Sequence, residues 1–186
     1  PLPWHKIQQL FTIINDLDEL HAVSPVILAM HLNIKQQTAA AIITLYAKLK
    51  ATSLQDYYQK HQIYAIPYTS AHYPERLKQL FDPPAVLYAK GDISILHAEQ
   101  TIAVIGSRVA TTYSENALKL LLPPLVKQQF VIVSGLAKGA DRLAHEATIR
   151  YGGNTIGVLG NGLFHSYPKE NDELYRYMAE HQLVVT

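Results

Sequence analysis

Two cations stand in short, glycine-containing loops, and they are the residues of this sequence best suited to binding an anion. Arg108 comes directly after Gly106 and Ser107. Lys138 comes directly before Gly139. Small neighbours let a phosphate approach the backbone closely, and guanidinium and ammonium groups supply charge-assisted hydrogen bonds. The pattern therefore predicts a phosphate-binding surface, and no obvious nucleophile stands beside it.

One repeated unit positions these loops: an apolar run, a glycine at its end, a polar loop and an amphipathic helix. Runs this short and apolar predict strands buried on both faces, the first of them at residues 101–106. The spacing suits right-handed crossovers, so we expect parallel strands whose loops meet at the carboxyl edge, where such sheets bind ligands. The runs occupy 101–106, 130–135 and 154–160, their helices about 114–127, 140–151 and 168–181, and a fourth strand 183–185.

Residues 1–62 predict a separate domain of four or five helices that serves packing or docking. Ser24 and Pro25 form a helix cap with proline at the first helical position, and Thr52 and Ser53 predict a further cap. The segment has no glycine, which argues against a helix-hairpin-helix grip on DNA. Residues expected to face inward recur at helical spacing: Trp4, Ile7, Leu10, Phe11 and Ile14, then Ala40, Ile43 and Ala47 within a helix at 34–49.

Residues 61–70 are predicted to join this helical domain to a second domain at 63–186. Short apolar runs broken by proline and tyrosine begin there. They predict strands at 63–66 and 85–89, with a short helix at 74–80 between them.

Composition limits the classes of function. The 186 residues are 48% hydrophobic, which suits a soluble globular protein, and no apolar run reaches the roughly 18 residues of a membrane span. The absence of cysteine excludes a disulfide framework and a thiol nucleophile, and it fits a reducing compartment. The formal net charge is only +1, so a polyanion would have to be attracted by cations gathered locally.

Several common nucleotide sites and catalytic motifs are missing from the sequence. No phosphate-binding loop of the GxxxxGK[ST] type exists, and the loop at Gly106 lacks the second and third glycines of a dinucleotide site. Ser134 and Gly135 stand where such a site needs an acid for the ribose. We therefore predict no bound NAD or other cofactor, no metal and no catalytic residue.

Asp141 and His145 share one helix face, which would suit an acid–base pair or two metal ligands. The alternative, which we favour, is that Asp141 caps free N–H groups and His145 is a buried side chain with its hydrogen bonds satisfied. Phe164 and Tyr113 could stack on a base, although packing is the commoner use of either residue.

Four stretches taken together resemble the DNA processing protein A family, also called DprA or Smf. They are IGSR at 105–108, VSGLAKGAD at 133–141, VLGNGL at 158–163 and YPKEN at 167–171. Their order and spacing make the resemblance specific, and it covers about residues 63–186. It implies a Rossmann-like, mostly parallel α/β sheet with helices on both faces, preceded by a small helical domain that resembles a sterile-alpha-motif-like domain.

The resemblance implies a non-enzymatic, cytoplasmic bacterial protein that binds single-stranded DNA. Such proteins protect incoming DNA in natural transformation, form homodimers and load the RecA recombinase. In the family, the cations matching Arg108 and Lys138 belong to the basic pocket that holds the strand. We therefore expect the DNA-binding residues to be Gly106, Ser107, Arg108, Ser134, Gly135, Lys138, Gly139, Gly160, Asn161 and Lys169.

The sequence departs from the family pattern at several positions. Ala140 replaces the usual isoleucine, Asn161 stands where threonine is common, and Phe164 where aspartate is common. Pro123 and Pro124 interrupt a helix that is usually unbroken, so we expect that helix to kink or end early. The family normally continues well beyond this chain, which we therefore expect to be a fragment.

An enzyme of the phosphoribohydrolase group, which cleaves nucleoside monophosphates on a related Rossmann-like sheet, is the alternative. The characteristic motif of that enzyme group is a PGGxGT loop followed by a glutamate. The nearest stretch here, from Gly135 to Asp141, carries a lysine instead.

Overall fold

The computed structural model describes residues 2–15, 17–49 and 51–186. The chain forms two compact units. The first contains Pro1–His61 and Glu75–Val86, and the second contains Gln62–Pro74 and Leu87–Thr186.

The first unit is built from short helices around a small apolar core. The Ser24 hydroxyl accepts a hydrogen bond from the Val26 N–H, so the predicted cap is confirmed. The side chains of Thr52 and Ser53, the other predicted cap, lie outside the described residues. The helices are α1 (Trp4–Leu10), a 3-10 helix (Leu17–Ala22), α2 (Pro25–Leu32), α3 (Gln36–Lys48), α4 (Ala51–Lys60) and α5 (Glu75–Lys78).

Two residues predicted to face this core are exposed. Phe11 is 47% exposed because α1 ends at Leu10, so Phe11 no longer follows the helix face. Ala47 is exposed as well, since Ala39 and Tyr46 on α3 contact the core and Ala47 turns away from it.

The second unit contains one six-stranded sheet with the strand order β1-β2-β6-β5-β4-β3. Strands β3 to β6 are parallel neighbours, and β2 pairs antiparallel with β6. The predicted α/β class, with a mostly parallel sheet and helices around it, is confirmed. The strands are β1 (Tyr64–Pro67), β2 (Val86–Gly91), β3 (Thr101–Ala103), β4 (Val131–Ser134), β5 (Thr155–Val158) and β6 (Leu183–Val185).

Three helices connect the parallel strands and form the core with them. They are α6 (Thr112–Lys127), α7 (Ala140–Arg150) and α8 (Asp172–His181). Ile132 on β4 is fully buried in a cluster with Leu118 of α6. None of the helices among the described residues has the length and apolar character needed to cross a membrane.

Strand β3 is not buried on both faces, so that prediction is wrong. Thr101 and Ala103 are exposed, and Ile105 beyond the strand is 83% exposed. The physical reason is its position at the end of the sheet. Ile102 packs on the core cluster of α6 and α7, so Thr101 and Ala103 point to the opposite face, and α8 packs on β5 and β6 rather than on this edge strand.

Of the two outcomes predicted for the helix at Pro123 and Pro124, an early end is excluded, because α6 continues to Lys127. A kink at the two prolines stays a prediction. The two prolines cannot donate to the carbonyls of Lys119 and Leu120, one turn earlier. Both of those residues are exposed, so water can replace the missing donors and the helix tolerates the pair.

Candidate functional site

A cavity of ≈ 420 Å³ opens beside the loops that follow β4 and β5. Loops after parallel strands all leave the sheet at its carboxyl edge, which explains why residues far apart in the sequence meet there. We call this cavity the cationic groove. It is lined by Arg108, Gly135, Ala137, Lys138, Gly160, Asn161, Tyr167 and Pro168.

Half of the predicted site residues line the cationic groove and half do not. The structure brings together Arg108, Gly135, Lys138, Gly160 and Asn161. It leaves Gly106, Ser107, Ser134, Gly139 and Lys169 outside the lining. These five positions have other roles or lie on the surface.

Three residues hold the loop after β3 against the loop after β4, namely Gly106, Ser107 and Gly139. The Ala140 N–H at the start of α7 donates to the Ser107 carbonyl over 2.9 Å. Gly139 has φ +75°, and a Cβ there would lie 2.2 Å from the Ser107 carbonyl oxygen. A Cβ on Gly106 would lie 2.7 Å from the Ala140 Cβ. These residues hold the loop of Arg108 against α7, and the first N–H of α7 is bonded to protein.

Asp141 fixes the conformation of the loop after β4. Its Oδ2 accepts from the N–H groups of Gly135 at 3.1 Å and Ala137 at 3.4 Å. Asn171 binds the loop from the other side, since its Nδ2 donates to the carbonyls of Leu136 and Ala137 at 2.9 and 3.0 Å. Two N–H groups of this loop, those of Gly135 and Ala137, are therefore occupied by Asp141 and are not available to a phosphate.

His145 is fully buried and lies away from the groove lining. Its Nδ1 lies 2.7 Å from Thr155 Oγ1, which itself donates to the Ile132 carbonyl. Burial lowers the pKa of His145 to about 4, and the backbone of Ser134 opposes this effect. Asp141 and His145 thus have separate structural partners, as expected from the sequence. The expectation that the hydrogen bonds of His145 are all satisfied is wrong, because its Nε2 is buried without a hydrogen-bond partner among the described residues.

Ser134 is also a structural residue. It is 3% exposed, and its hydroxyl donates to the Val104 carbonyl at the end of β3 over 2.6 Å. This bond fixes β3 against β4, so Ser134 contributes to the position of the loop after β3, which carries Arg108.

The two predicted cations differ in their partners. Lys138 Nζ lies 2.5 Å from Glu170 Oε1, and the two side chains are 50% and 60% exposed. This contact with Lys138 holds the pKa of Glu170 below its usual value. The guanidinium of Arg108 is exposed and forms no hydrogen bond or salt bridge within the part of the chain that the structure describes. Arg108 is thus available for a ligand, whereas Lys138 must first give up its contact with Glu170.

The loop after β5 contributes polar and aromatic residues to the wall of the groove. Asn161 Nδ2 donates to the carbonyls of Gly162, at 3.2 Å, and His165, so its side chain mainly shapes the loop. A Cβ on Gly160 would meet nothing within 4 Å, which leaves open space at the groove. Tyr167 lines the groove and is 69% exposed.

Sequence reasoning missed the direct lining by Tyr167 and Pro168 and the pairing of Glu170 with Lys138. All three residues belong to the stretch YPKEN, so the signal that could have found them was present. Phe164 and Tyr113, the aromatic residues named from the sequence, are 51% and 82% exposed and do not line the groove.

A larger cavity of ≈ 600 Å³ lies elsewhere, beside the residues that precede β4 and β5. Gln128, Gln129 and Asn154 contribute to its wall, which contains no lysine or arginine. Its size alone does not make it a site for an anion, so the smaller cationic groove is the better candidate.

Comparison with known proteins places these features in a family. Residues 64–186 match the family model of DNA recombination-mediator protein A. The DNA processing protein DprA of Bacillus subtilis strain 168 is 41% identical over 129 residues, which cover 69% of this chain and 43% of that protein. The DprA of Streptococcus pneumoniae strain R6 is 34% identical over 147 residues, covering 79% and 51%.

Two solved structures are similar as well. The X-ray structure of DNA processing protein A from Streptococcus pneumoniae superposes with a TM-score of 0.76 at 28% identity, covering 97% of this chain and 61% of the other. A structure reported for the single-stranded DNA binding mode of DNA processing protein A from Helicobacter pylori has a TM-score of 0.59 at 31% identity, covering 67% and 54%.

This chain spans about half the length of the curated relatives that it matches. The family match covers the whole sheet and all the loops that form the cationic groove. The chain belongs to the DNA recombination-mediator protein A family, whose characterised members include the DNA processing protein DprA.

Proposed function

We propose that this chain binds single-stranded DNA through the cationic groove. The observation that carries the proposal is the guanidinium of Arg108, which has no hydrogen-bond or salt-bridge partner in the described part of the chain and lines one cavity together with Lys138. The Helicobacter pylori relative, described by its single-stranded DNA binding mode, supports the same class of ligand.

Electrostatics favour a polyanion that binds through its backbone. The net charge of the whole chain is only +1, so long-range attraction is weak and the local cations must provide the affinity. Arg108 and Lys138 are exposed and can each neutralise a phosphate, and Tyr167 offers an aromatic face to a base. Contacts of this kind are independent of base sequence.

The finer role follows from the resemblance to the family. In this proposal the chain works without catalysis, as part of a cytoplasmic bacterial protein that protects incoming DNA during natural transformation. The proposal also includes a homodimer and RecA as the partner that is loaded onto the strand. None of the lining residues is needed as a nucleophile or general base.

The first prediction concerns the salt dependence of binding. Fluorescence anisotropy of a labelled oligothymidine should give an affinity that falls by about 0.7 log units per log unit of salt for each phosphate neutralised. Arg108→Ala and Lys138→Ala should each weaken binding and reduce the magnitude of this slope by about 0.7, whatever the base sequence.

Lys119→Ala and Arg150→Ala are the matched controls, because they remove the same charges from residues outside the groove. They should leave the slope unchanged. Equal effects from the controls and the groove variants would show that the cationic groove is not the binding site. Release of a free base from a nucleoside monophosphate would favour the phosphoribohydrolase-like enzyme.

A further inference from the structure

We propose that the Glu170 carboxylate competes with a DNA phosphate for Lys138. Glu170 binds Lys138 in the free protein and is displaced when a strand binds. This inference rests on the proposed function of the cationic groove. It assigns Glu170 a role in setting the affinity of the groove for ligands that carry phosphate.

The contact itself is well defined. Glu170 Oε1 lies 2.5 Å from Lys138 Nζ, in a charge-assisted hydrogen bond between two residues that are far apart in the sequence. A carboxylate and a phosphate oxygen present similar acceptors to an ammonium group, so they compete for the same donors. Lys138 cannot bind a phosphate fully while it keeps this partner.

The backbone of Glu170 is anchored, which keeps its carboxylate near the groove. Arg142 Nη1 on α7 donates to the Glu170 carbonyl over 3.1 Å. Arg142 is in turn held by Glu146, one turn further along α7, at 2.7 Å. A displaced Glu170 side chain therefore remains close to the bound strand, where its negative charge repels the phosphates.

The energetics allow the exchange. Both side chains are at least half exposed, and an exposed ion pair is weak, so a ligand can break it. Any ligand that binds Lys138 must displace Glu170, so this contact lowers the affinity of single phosphates and of strands by a similar factor. A strand can add further contacts in the groove, for example to Arg108, which forms no hydrogen bond or salt bridge among the described residues, and these contacts offset the loss.

The test measures the affinity of the full chain for labelled oligothymidine and for thymidine monophosphate at low salt. Glu170→Gln should bind the oligothymidine roughly two- to fivefold more tightly, the range that corresponds to an exposed ion pair. Thymidine monophosphate should gain by a similar factor, because both ligands must displace the same carboxylate from Lys138.

Two further variants separate competition from a general charge effect. Glu173→Gln removes the same charge from an exposed position in the first turn of α8 and should gain less than Glu170→Gln. In a Lys138→Ala background, Glu170→Gln should lose most of its gain, since the two residues act as a pair.

The outcomes distinguish this inference from the proposed function. Binding that depends on Lys138 but is unchanged by Glu170→Gln would overturn the inference and leave the proposed function standing. An equal gain from Glu173→Gln, or a full gain without Lys138, would also overturn it. A natural chain that does not bind oligothymidine would overturn both.

Discussion

Two sets of polar residues in the second unit differ in burial and in partners. The buried set, represented by Asp141, His145 and Asn171, bonds to neighbouring loops and strands. The exposed set, represented by Arg108 and Lys138, lines the groove. The difference teaches that residue type alone does not identify a ligand contact, because the buried set fixes the loops and the exposed set can reach a ligand.

The largest effect that we expect is the loss of unfolding free energy at acid pH that His145 causes. The folded chain holds the pKa of His145 at about 4, against 6.5 for an ordinary histidine. Between these values the unfolded chain binds a proton that the folded chain does not, so the free energy of unfolding falls as pH falls. The contribution is fully present above about pH 6.5, and about 3 kcal/mol of it is lost by about pH 4.

Chemical denaturation between pH 4 and pH 7 measures this loss, with His145→Gln as the non-titrating comparison. The variant should be less stable at neutral pH but less sensitive to acid over that range. An identical fall in the unfolding free energy of both proteins would mean that His145 is not the group responsible.

Asp141→Ala should have the next largest effect. It removes the acceptor of the Gly135 and Ala137 N–H groups in a partly buried loop, which should cost about 2 kcal/mol of unfolding free energy. Urea denaturation at pH 7 measures the change. Asp141→Asn keeps an acceptor oxygen and should lose less. Equal losses from the two variants would contradict the hydrogen-bonding role of Asp141.

Arg108→Ala should have the smallest effect on folding. Its side chain is exposed and has no partner among the described residues, so the free energy of unfolding should change by less than about 0.5 kcal/mol. The same urea measurement on this variant, set beside its weakened DNA binding, separates the two sets of residues. A loss of stability comparable to that of Asp141→Ala would remove the distinction on which the comparison rests.

Much of the local structure could be predicted from the sequence. The cap at Ser24, the buried strand β4 and the fourth parallel strand at Leu183–Val185 follow from patterns within a few residues. Such patterns work because capping and burial of a regular apolar run depend on near neighbours.

Errors appeared where a distant part of the chain decides the outcome. Strand β3 has the composition of a central strand, yet its place at the edge of the sheet leaves Thr101 and Ala103 exposed. Ser107 stays a predicted ligand contact, but its carbonyl accepts from Ala140 and its side chain lies outside the groove lining, which the local sequence did not indicate. Neither outcome can be obtained from local periodicity, because each depends on which strand or loop lies alongside.

The sequence by itself determined the α/β class, the repeated strand–loop–helix unit and the two cations that stand after glycine-ended strands. Those features follow from short-range patterns and from the rule that parallel strands place their loops at one edge. Only the tertiary structure decided that the N–H groups bound by Asp141 are those of Gly135 and Ala137, and that Glu170 holds Lys138. It also decided that Arg108 has no hydrogen-bond or salt-bridge partner among the described residues. Hydrogen bonds and ion pairs between residues far apart in the sequence depend on angstrom-scale distances, which exist only once the sheet has brought the loops together.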